Sequence, residues 1–262
     1  MKTTPWSFFT LFVLLLFSTV SAADGVPQRY FSMNLHCAVG DWQKRLDKVA
    51  DEIARFRPEV MGFQEVCKGE NVDTGAYLRA AIESRGVEIR FWKTADTHTS
   101  FVKYQEQLML LSTHPVVSDS EGTLPSMPFL RNKYISADLG ELTLVVTHFH
   151  FLFPTIRLRQ YAALTKLFSN TPAIVMGDFN SGPSKRESKP FRKAGWASVF
   201  PGPTFPSSKP TKIFDGFWFS PALEEWSKQS EASVVLGDDP DPASDHLGII
   251  LQTADCLGKS GD

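Results

Sequence analysis

Between Gly86 and Pro154 four apolar runs follow one another with no helical periodicity between them: Glu88–Trp92, Leu108–Ser112, Ile135–Asp138 and Leu142–His148. Strands that succeed each other without a crossover helix pair antiparallel, which excludes a purely parallel doubly wound sheet. Strand-like runs also occupy Tyr30–Leu35, Val60–Val66, Ala173–Met176, Ile213–Phe219, Ser233–Leu236 and Leu247–Leu251. Helical periodicity is confined to a few stretches. After Asp41, the residues Trp42, Leu46, Val49, Ile53 and Phe56 recur at spacings of 4, 3, 4 and 3, one apolar face that ends before Pro58. A second helix is expected over Thr74–Arg85, closed by Gly86, and a third over Thr155–Phe168. Ser184 and Glu187 have the spacing of a capping box opening a short helix. Many strands with a few helices predict an α/β fold, a four-layer sandwich in which two mixed β-sheets pack face to face with helices outside.

The N-terminus is of another kind. Lys2 precedes an uncharged apolar run of ten residues, Phe8–Phe17, and Val20-Ser21-Ala22 supplies a small-x-small cleavage pattern. The run is short for a membrane span, so residues 1–22 are expected to be a signal peptide and residues 23–262 a single exported domain, secreted or periplasmic. No other stretch is long and apolar enough to span a bilayer, so an integral membrane protein is not expected. Loss of Lys2 leaves 26 basic against 29 acidic residues, which argues against a chain held to a polyanion by bulk charge.

Polar residues gather at the ends of the apolar strands: Asn34, Glu65, His148, Asp178 with Asn180, and Asp245-His246. One such residue means little; several strand ends converging in a sheet protein make a polar cleft. Carboxylates and amides dominate, which suits a hard cation such as Mg²⁺ or Mn²⁺ rather than zinc. Asp215 lies between apolar residues, where an acid needs a partner.

The segments Met33-Asn34-Leu35, Gln64-Glu65-Val66, Thr147-His148, Gly177-Asp178-Phe179-Asn180, Ile213-Phe214-Asp215 and Ser244-Asp245-His246 follow in an order that resembles the endonuclease/exonuclease/phosphatase superfamily, and they span nearly all of residues 23–262. The resemblance implies site roles. Glu65, helped by Asn34, would hold the divalent cation, with Asp245 completing its shell. Asp178 would orient or deprotonate the attacking water, and Asn180 would hydrogen-bond the phosphate. His246 would sit on the phosphate, steered by Asp215. His148 would be the second imidazole, oriented by Glu106, and Arg131 would face the phosphate. His36, His98, His114 and His150 fall outside these motifs; His150, two residues past His148, is the nearest to them. If Asn34 and Glu65 share one metal, Cys37 and Cys67 lie in adjoining loops, where a disulfide is expected with Cys256 left free.

Two features bear on substrate. An apolar stretch, His148–Pro154, closes a strand and reads as a lipid-contacting lip, as the floor of an apolar pocket or as packing beneath the next helix. Lys185, Arg186, Lys189, Arg192 and Lys193 follow Asn180 and read either as a phosphate-binding rim or as a solvated helix face. Cys67 stands where the deoxyribonuclease branch would have a groove-reading arginine. The resulting expectation is a secreted, metal-dependent phosphodiesterase using water as nucleophile. Nucleic acid comes ahead of a sphingomyelinase-type phospholipid as substrate, and no stable protein partner is implied. The alternatives are a phosphatase of small or inositol phosphates and an inactive binding module on the same fold.

Overall fold

The computed structural model describes residues 25–99, 104–237 and 240–254, so residues 1–22, where a signal peptide is expected, and Cys256 lie outside the described residues. The strands are β1 (Arg29–Asn34), β2 (Val60–Lys68), β3 (Phe91–Thr99), β4 (Gln105–Ser112), β5 (Ser118–Thr123), β6 (Lys133–Asp138), β7 (Thr143–His148), β8 (Ala173–Asp178), β9 (Ala197–Val199), β10 (Asp215–Phe219), β11 (Glu231–Val235) and β12 (Gly248–Gln252). The helices are α1 (Trp42–Phe56), α2 (Thr74–Ser84), α3 (Pro154–Phe168), α4 (Lys189–Lys193) and α5 (Glu224–Lys228). Two six-stranded sheets form, in the orders β11-β12-β1-β2-β4-β3 and β5-β6-β7-β8-β10-β9. In each, one parallel pair (β1 with β2, β7 with β8) sits among antiparallel neighbours.

Side-chain alternation builds the layers. Tyr30 of β1 points between the sheets and meets Val146, Met176 and Phe217 in the central core. Phe31 and Met33 point the other way, onto α1 and its buried Leu46, Val49 and Ile53. On the far side, Val145 and Val175 pack under α3 with Tyr161 and Leu164. The order helix, sheet, sheet, helix is therefore the four-layer sandwich expected from sequence. Asp41 caps α1 by accepting from Lys44 N–H, and Asp73 caps α2 by accepting from Ala76 N–H. Pro154 starts α3, where a missing N–H costs nothing.

The differences from the sequence reading have physical causes. The strand expected at Glu88–Trp92 is β3, and it begins at Phe91 and runs on to Thr99 through polar residues. β5, with sequence SDSEGT, is an exposed strand at one end of its sheet and has no apolar pattern to read. β9 and α5 are short and were not anticipated. The Ser184 capping box does not form. Lys185 occupies the position before a short 3₁₀ turn, Arg186–Ser188, and makes no side-chain cap, while Ser188 Oγ–H donates to Pro183 and Lys185 carbonyls.

Two glycines permit close approaches, Gly62 between the sheets and Gly177 between the neighbouring strands β7 and β8. A Cβ on Gly62 would lie 2.8 Å from Val146 Cγ2 of the opposite sheet. Gly177, at φ +145°, admits no Cβ because one would fall 2.0 Å from the Thr147 carbonyl oxygen. Gly177→Ala is expected to cost about 3 kcal/mol or more in urea unfolding, through backbone displacement at the β7–β8 junction. A loss below about 1 kcal/mol would show that the junction relaxes freely.

Candidate active site

The C-terminal ends of β1, β2, β7 and β8 lie together, because face-to-face packing brings β1 and β2 against β7 and β8. Asp178, at the end of β8, is the hub. Its Oδ1 accepts from Asn180 N–H at 2.8 Å, in a turn that holds Asn180 at φ +50°. Its Oδ2 is met by Asn34 Nδ2 at 3.3 Å, His148 Nε2 at 3.4 Å and His246 Nε2 at 3.6 Å. Those three groups come from both sheets, so the cluster around the carboxylate assembles only when the sandwich closes.

Glu65 is aimed by a defect in the ladder. The register of β2 against β4 shifts between Phe63 and Val66, and Glu65 takes φ +51° within that bulge. Its Oε1 then accepts from Asn34 Nδ2 at 2.9 Å. Asn34 Oδ1 accepts from His36 N–H at 3.0 Å, which fixes the amide orientation and turns its NH₂ towards both carboxylates. The loop after β1 is tied to β2 itself, not to a second loop, by Cys37 N–H donating to the Glu65 carbonyl at 3.0 Å and by a Cys37–Cys67 disulfide with Cα atoms 5.1 Å apart, the expected pairing.

Asp215 begins β10 directly across from Asp178 and is fully buried. Its Oδ2 accepts from His246 Nδ1–H at 2.9 Å and from Thr204 Oγ–H, while its Oδ1 is buried without a partner. Burial opposes the charged form of His246, but Asp215, Asp178 and Asp245 outweigh it and push the imidazole up to about 10. Burial also raises Asp215, with Asp178 adding to the effect. The pair shares one proton. It sits on the imidazole, because Thr204 satisfies the carboxylate and two further acids face the ring.

Glu65, Glu106, His148, Asp178, Asn180, Asp245 and His246 line one cavity of about 460 Å³. Asn34 and Asp215 stand behind it, bonded to Glu65 and His246. Asp245 enters with its Oδ1 accepting from Ser244 Oγ–H and lying 3.6 Å from His36 Nδ1. Two sequence expectations change. Arg131 is exposed and does not line the cavity. Glu106 pairs not with His148 but with His98, whose Nε2 is 3.4 Å from its Oε2. The irregular pairing of β3 with β4 between Asp96 and Thr99 brings His98 beside Glu106, a register that no motif signals. Reading by motif also missed the cavity's Val39, Phe205, Lys212 and Phe214.

The donors offer a cation two places. Asp178, Asp215 and His246 have ligand atoms within 4.8 Å of one another, but the His246 imidazolium competes with a metal there. Glu65 and Asp178 are two carboxylates bridged by a single neutral amide. That excess of negative oxygen fits a hard divalent ion better. A larger concavity of about 580 Å³ lies at the opposite ends of β1 and β2. Its Glu59 accepts from the Gln28 and Arg29 N–H groups and lies 3.6 Å from His114.

Burial first, then the charge of Glu65, raises the Glu106 carboxyl from 4.5 to about 7, with His148 opposing. Because the folded value is raised, the folded state keeps a proton that the unfolded chain has lost. Stability therefore falls as pH rises from about 4.5 to about 7 and the full cost is present above that window. Glu106→Gln is expected to be more stable than the parent at pH near 8 by on the order of 3 kcal/mol, and equal to it near pH 4. Urea unfolding in chelator at the two pH values measures this, and parallel curves would contradict it.

The model of the Endonuclease/Exonuclease/phosphatase family matches residues 31–246. No curated protein matches the sequence. Among solved structures, an endonuclease/exonuclease/phosphatase family protein from Leptotrichia buccalis C-1013-b is similar with a TM-score of 0.70 at 17% identity, covering 87% of this chain and 99% of that one. The mannosyl-6-phosphatase Bt3783 of Bacteroides thetaiotaomicron VPI-5482 gives 0.63 at 15% over 87% and 99%. The beta toxin of Staphylococcus aureus gives 0.66 at 16% over 87% and 100%. At these identities the structural likeness speaks for the fold, and with the family match over most of its length the chain belongs to the endonuclease/exonuclease/phosphatase family.

Proposed function

We propose that the protein is an exported, divalent-cation-dependent phosphodiesterase with water as its nucleophile. The observation that carries this reading is the convergence on Asp178 Oδ2 of Asn34, His148 and His246 beside a second carboxylate, Glu65. Mg²⁺ or Mn²⁺ held by Glu65, with Asn34 and Asp245 at hand and the charge of Asp178 nearby, would neutralise charge growing on the phosphoryl oxygens and the leaving group. Asp178 then orients the attacking water and draws off its proton. His246, kept cationic by Asp215, donates to a phosphoryl oxygen. Asn180 Nδ2, which also donates to the Phe149 carbonyl at 3.0 Å, lies 3.3 Å from His148 Nε2, so His148 and Asn180 act as a unit on the phosphate. Glu106 and His98 border the same space.

The charge balance of the cavity favours a diester over a monoester. Glu65, Glu106, Asp178 and Asp245 line it, while Lys212 is the one lysine or arginine among its described lining residues. A diester monoanion meets less repulsion there than a monoester dianion. Val39, Phe151, Phe205 and Phe214 offer an apolar wall to whatever the phosphate carries. That supports a phospholipid diester ahead of nucleic acid, which reverses the order expected from sequence. The nuclease reading rests on the exposed Lys185, Arg186 and Lys189 that follow Asn180. The activity named for the Bacteroides neighbour keeps a phosphatase among the alternatives to assay.

A panel of plasmid DNA, RNA, sphingomyelin, phosphatidylcholine, inositol phosphates and bis(p-nitrophenyl) phosphate, with Mg²⁺ and then chelator, tests the reading. Diester turnover is expected only with the cation, and Glu65→Gln or Asp178→Asn is expected to remove about 10²–10³ of it or more. Full turnover in chelator, or release of phosphate from monoesters alone, would sink the proposal.

Asp215 acts through the imidazole of His246, so the two losses should not multiply. Asp215→Asn is expected to be milder than His246→Ala, and the double variant no slower than His246→Ala alone. Fully multiplicative losses in kcat would separate the two residues.

A further inference from the structure

The cavity mouth carries an apolar rim that the proposed chemistry does not use. Six large hydrophobic side chains on three loops beside it are exposed: Phe129 at 97%, Leu152 at 57%, Phe151 at 52%, Met127 at 40%, and Phe153 and Val39 at 38% each. Phe151 and Val39 also line the cavity, so rim and cavity are continuous.

Two of the loops are held rigidly and held together. Gln160 of α3 accepts from His150 N–H at 2.9 Å and donates to the Pro125 carbonyl at 2.8 Å, which joins the 125–132 loop to the 149–153 loop. Asn132 Nδ2 donates to the His148 carbonyl at 3.0 Å. His150, buried, accepts from the N–H groups of Leu152 and Phe153. Arg157 donates to the carbonyls of His150 and Phe151 and is itself paired with Glu187 at 3.0 Å. The backbone is thus satisfied from below, while the apolar tips point away from any core. The alternative of packing beneath α3 holds for Phe149, which is buried 4.7 Å from the Tyr161 ring, whereas Phe151 and Phe153 lie against the His150 ring and remain partly in solvent with Leu152.

We infer that this rim seats the protein on a lipid bilayer containing anionic phospholipid, with the cavity mouth against the headgroups. Projecting tips, rather than a groove, suit insertion among acyl chains, and Leu152 and Met127 offer no flat face for a nucleobase. Charge complements the same partner. Residues 124–133 and 149–159 contain no aspartate or glutamate, and Arg131 and Arg159 are exposed among them. Arg131, outside the cavity, thereby gains a role on the headgroup plane. The inference rests on the phosphodiesterase reading for the purpose of the contact, since a diester at the headgroup would enter past Phe151.

The test is sedimentation of the exported protein with vesicles of phosphatidylcholine carrying about one-fifth phosphatidylserine, against phosphatidylcholine alone. Alongside it, turnover of soluble bis(p-nitrophenyl) phosphate is followed. The parent should partition onto the anionic vesicles. Phe129→Ser combined with Leu152→Ser, both outside the cavity, should weaken that partition by about tenfold or more and leave soluble-diester turnover unchanged. No vesicle binding by the parent, or equal binding by the double variant, overturns the inference. So does loss of oligothymidylate binding in the variant with vesicle binding intact, which would give the rim to single-stranded nucleic acid. Vesicle binding that depends on Phe129 and Leu152, in a protein that hydrolyses no diester, would uphold the rim and overturn the phosphodiesterase reading.

Discussion

Everything in the site depends on the contact between the two sheets. Tyr30 and Val60 of one sheet meet Val146, Met176 and Phe217 of the other in a core from which water is excluded. Burial of that apolar area is the main favourable term in assembling the domain. It also sets the distance at which Asn34 reaches Asp178 across the interface. Gly62 keeps the separation short, since a Cβ there would meet Val146 of the opposite sheet, and Gly177 lets β7 and β8 of one sheet stay in register beneath the cluster. The polar cluster is thus the hydrophilic end of a hydrophobic interface, and its geometry is inherited from the packing beneath it.

Within that frame the protein gathers negative charge where water is scarce. Asp178 and Asp215 face each other across an antiparallel pair and are both buried. Their repulsion is relieved by one proton on His246, which stands between them. Glu65 and Glu106 extend the acidic character outward, and burial first, then the charge of Glu65, lifts Glu106 to about 7. A cation is complementary to such a site, because it relieves part of that repulsion. The positive φ of Glu65 and Asn180 fits the same picture: backbone departs from its preferred wells where side chains must converge.

The site and its surroundings are built with different stiffness. The disulfide, the bulge and the Asp178 turn fix the polar groups from three directions. The apolar rim is pinned too, through Gln160, His150 and Arg157, yet it leaves its side chains in solvent. A rim whose backbone is satisfied from within while its side chains face solvent differs from a loop that hides its rings, and exposed apolar patches of that kind are typical of interaction surfaces.

Much of this was legible in the sequence. The succession of strands without helices, the amphipathic period of α1 and the polar residues closing apolar runs give the layered fold and most of the cluster, because each is a local pattern repeated along the chain. Cys37 and Cys67 could be paired once Asn34 and Glu65 were taken as neighbours. The tertiary structure alone decided the rest. β5 carries no apolar code, since a strand exposed at the end of a sheet is specified by its neighbour's open hydrogen bonds. His98 replaced His148 as the partner of Glu106 because an irregular strand register, invisible in composition, chose which imidazole came within reach. Arg131 left the cavity, and Phe129 and Leu152 turned to solvent, because loop direction is set by distant hydrogen bonds such as those of Gln160 and Asn132. Periodicity fixes which face of an element is buried; only packing between elements fixes which side chains from different elements meet.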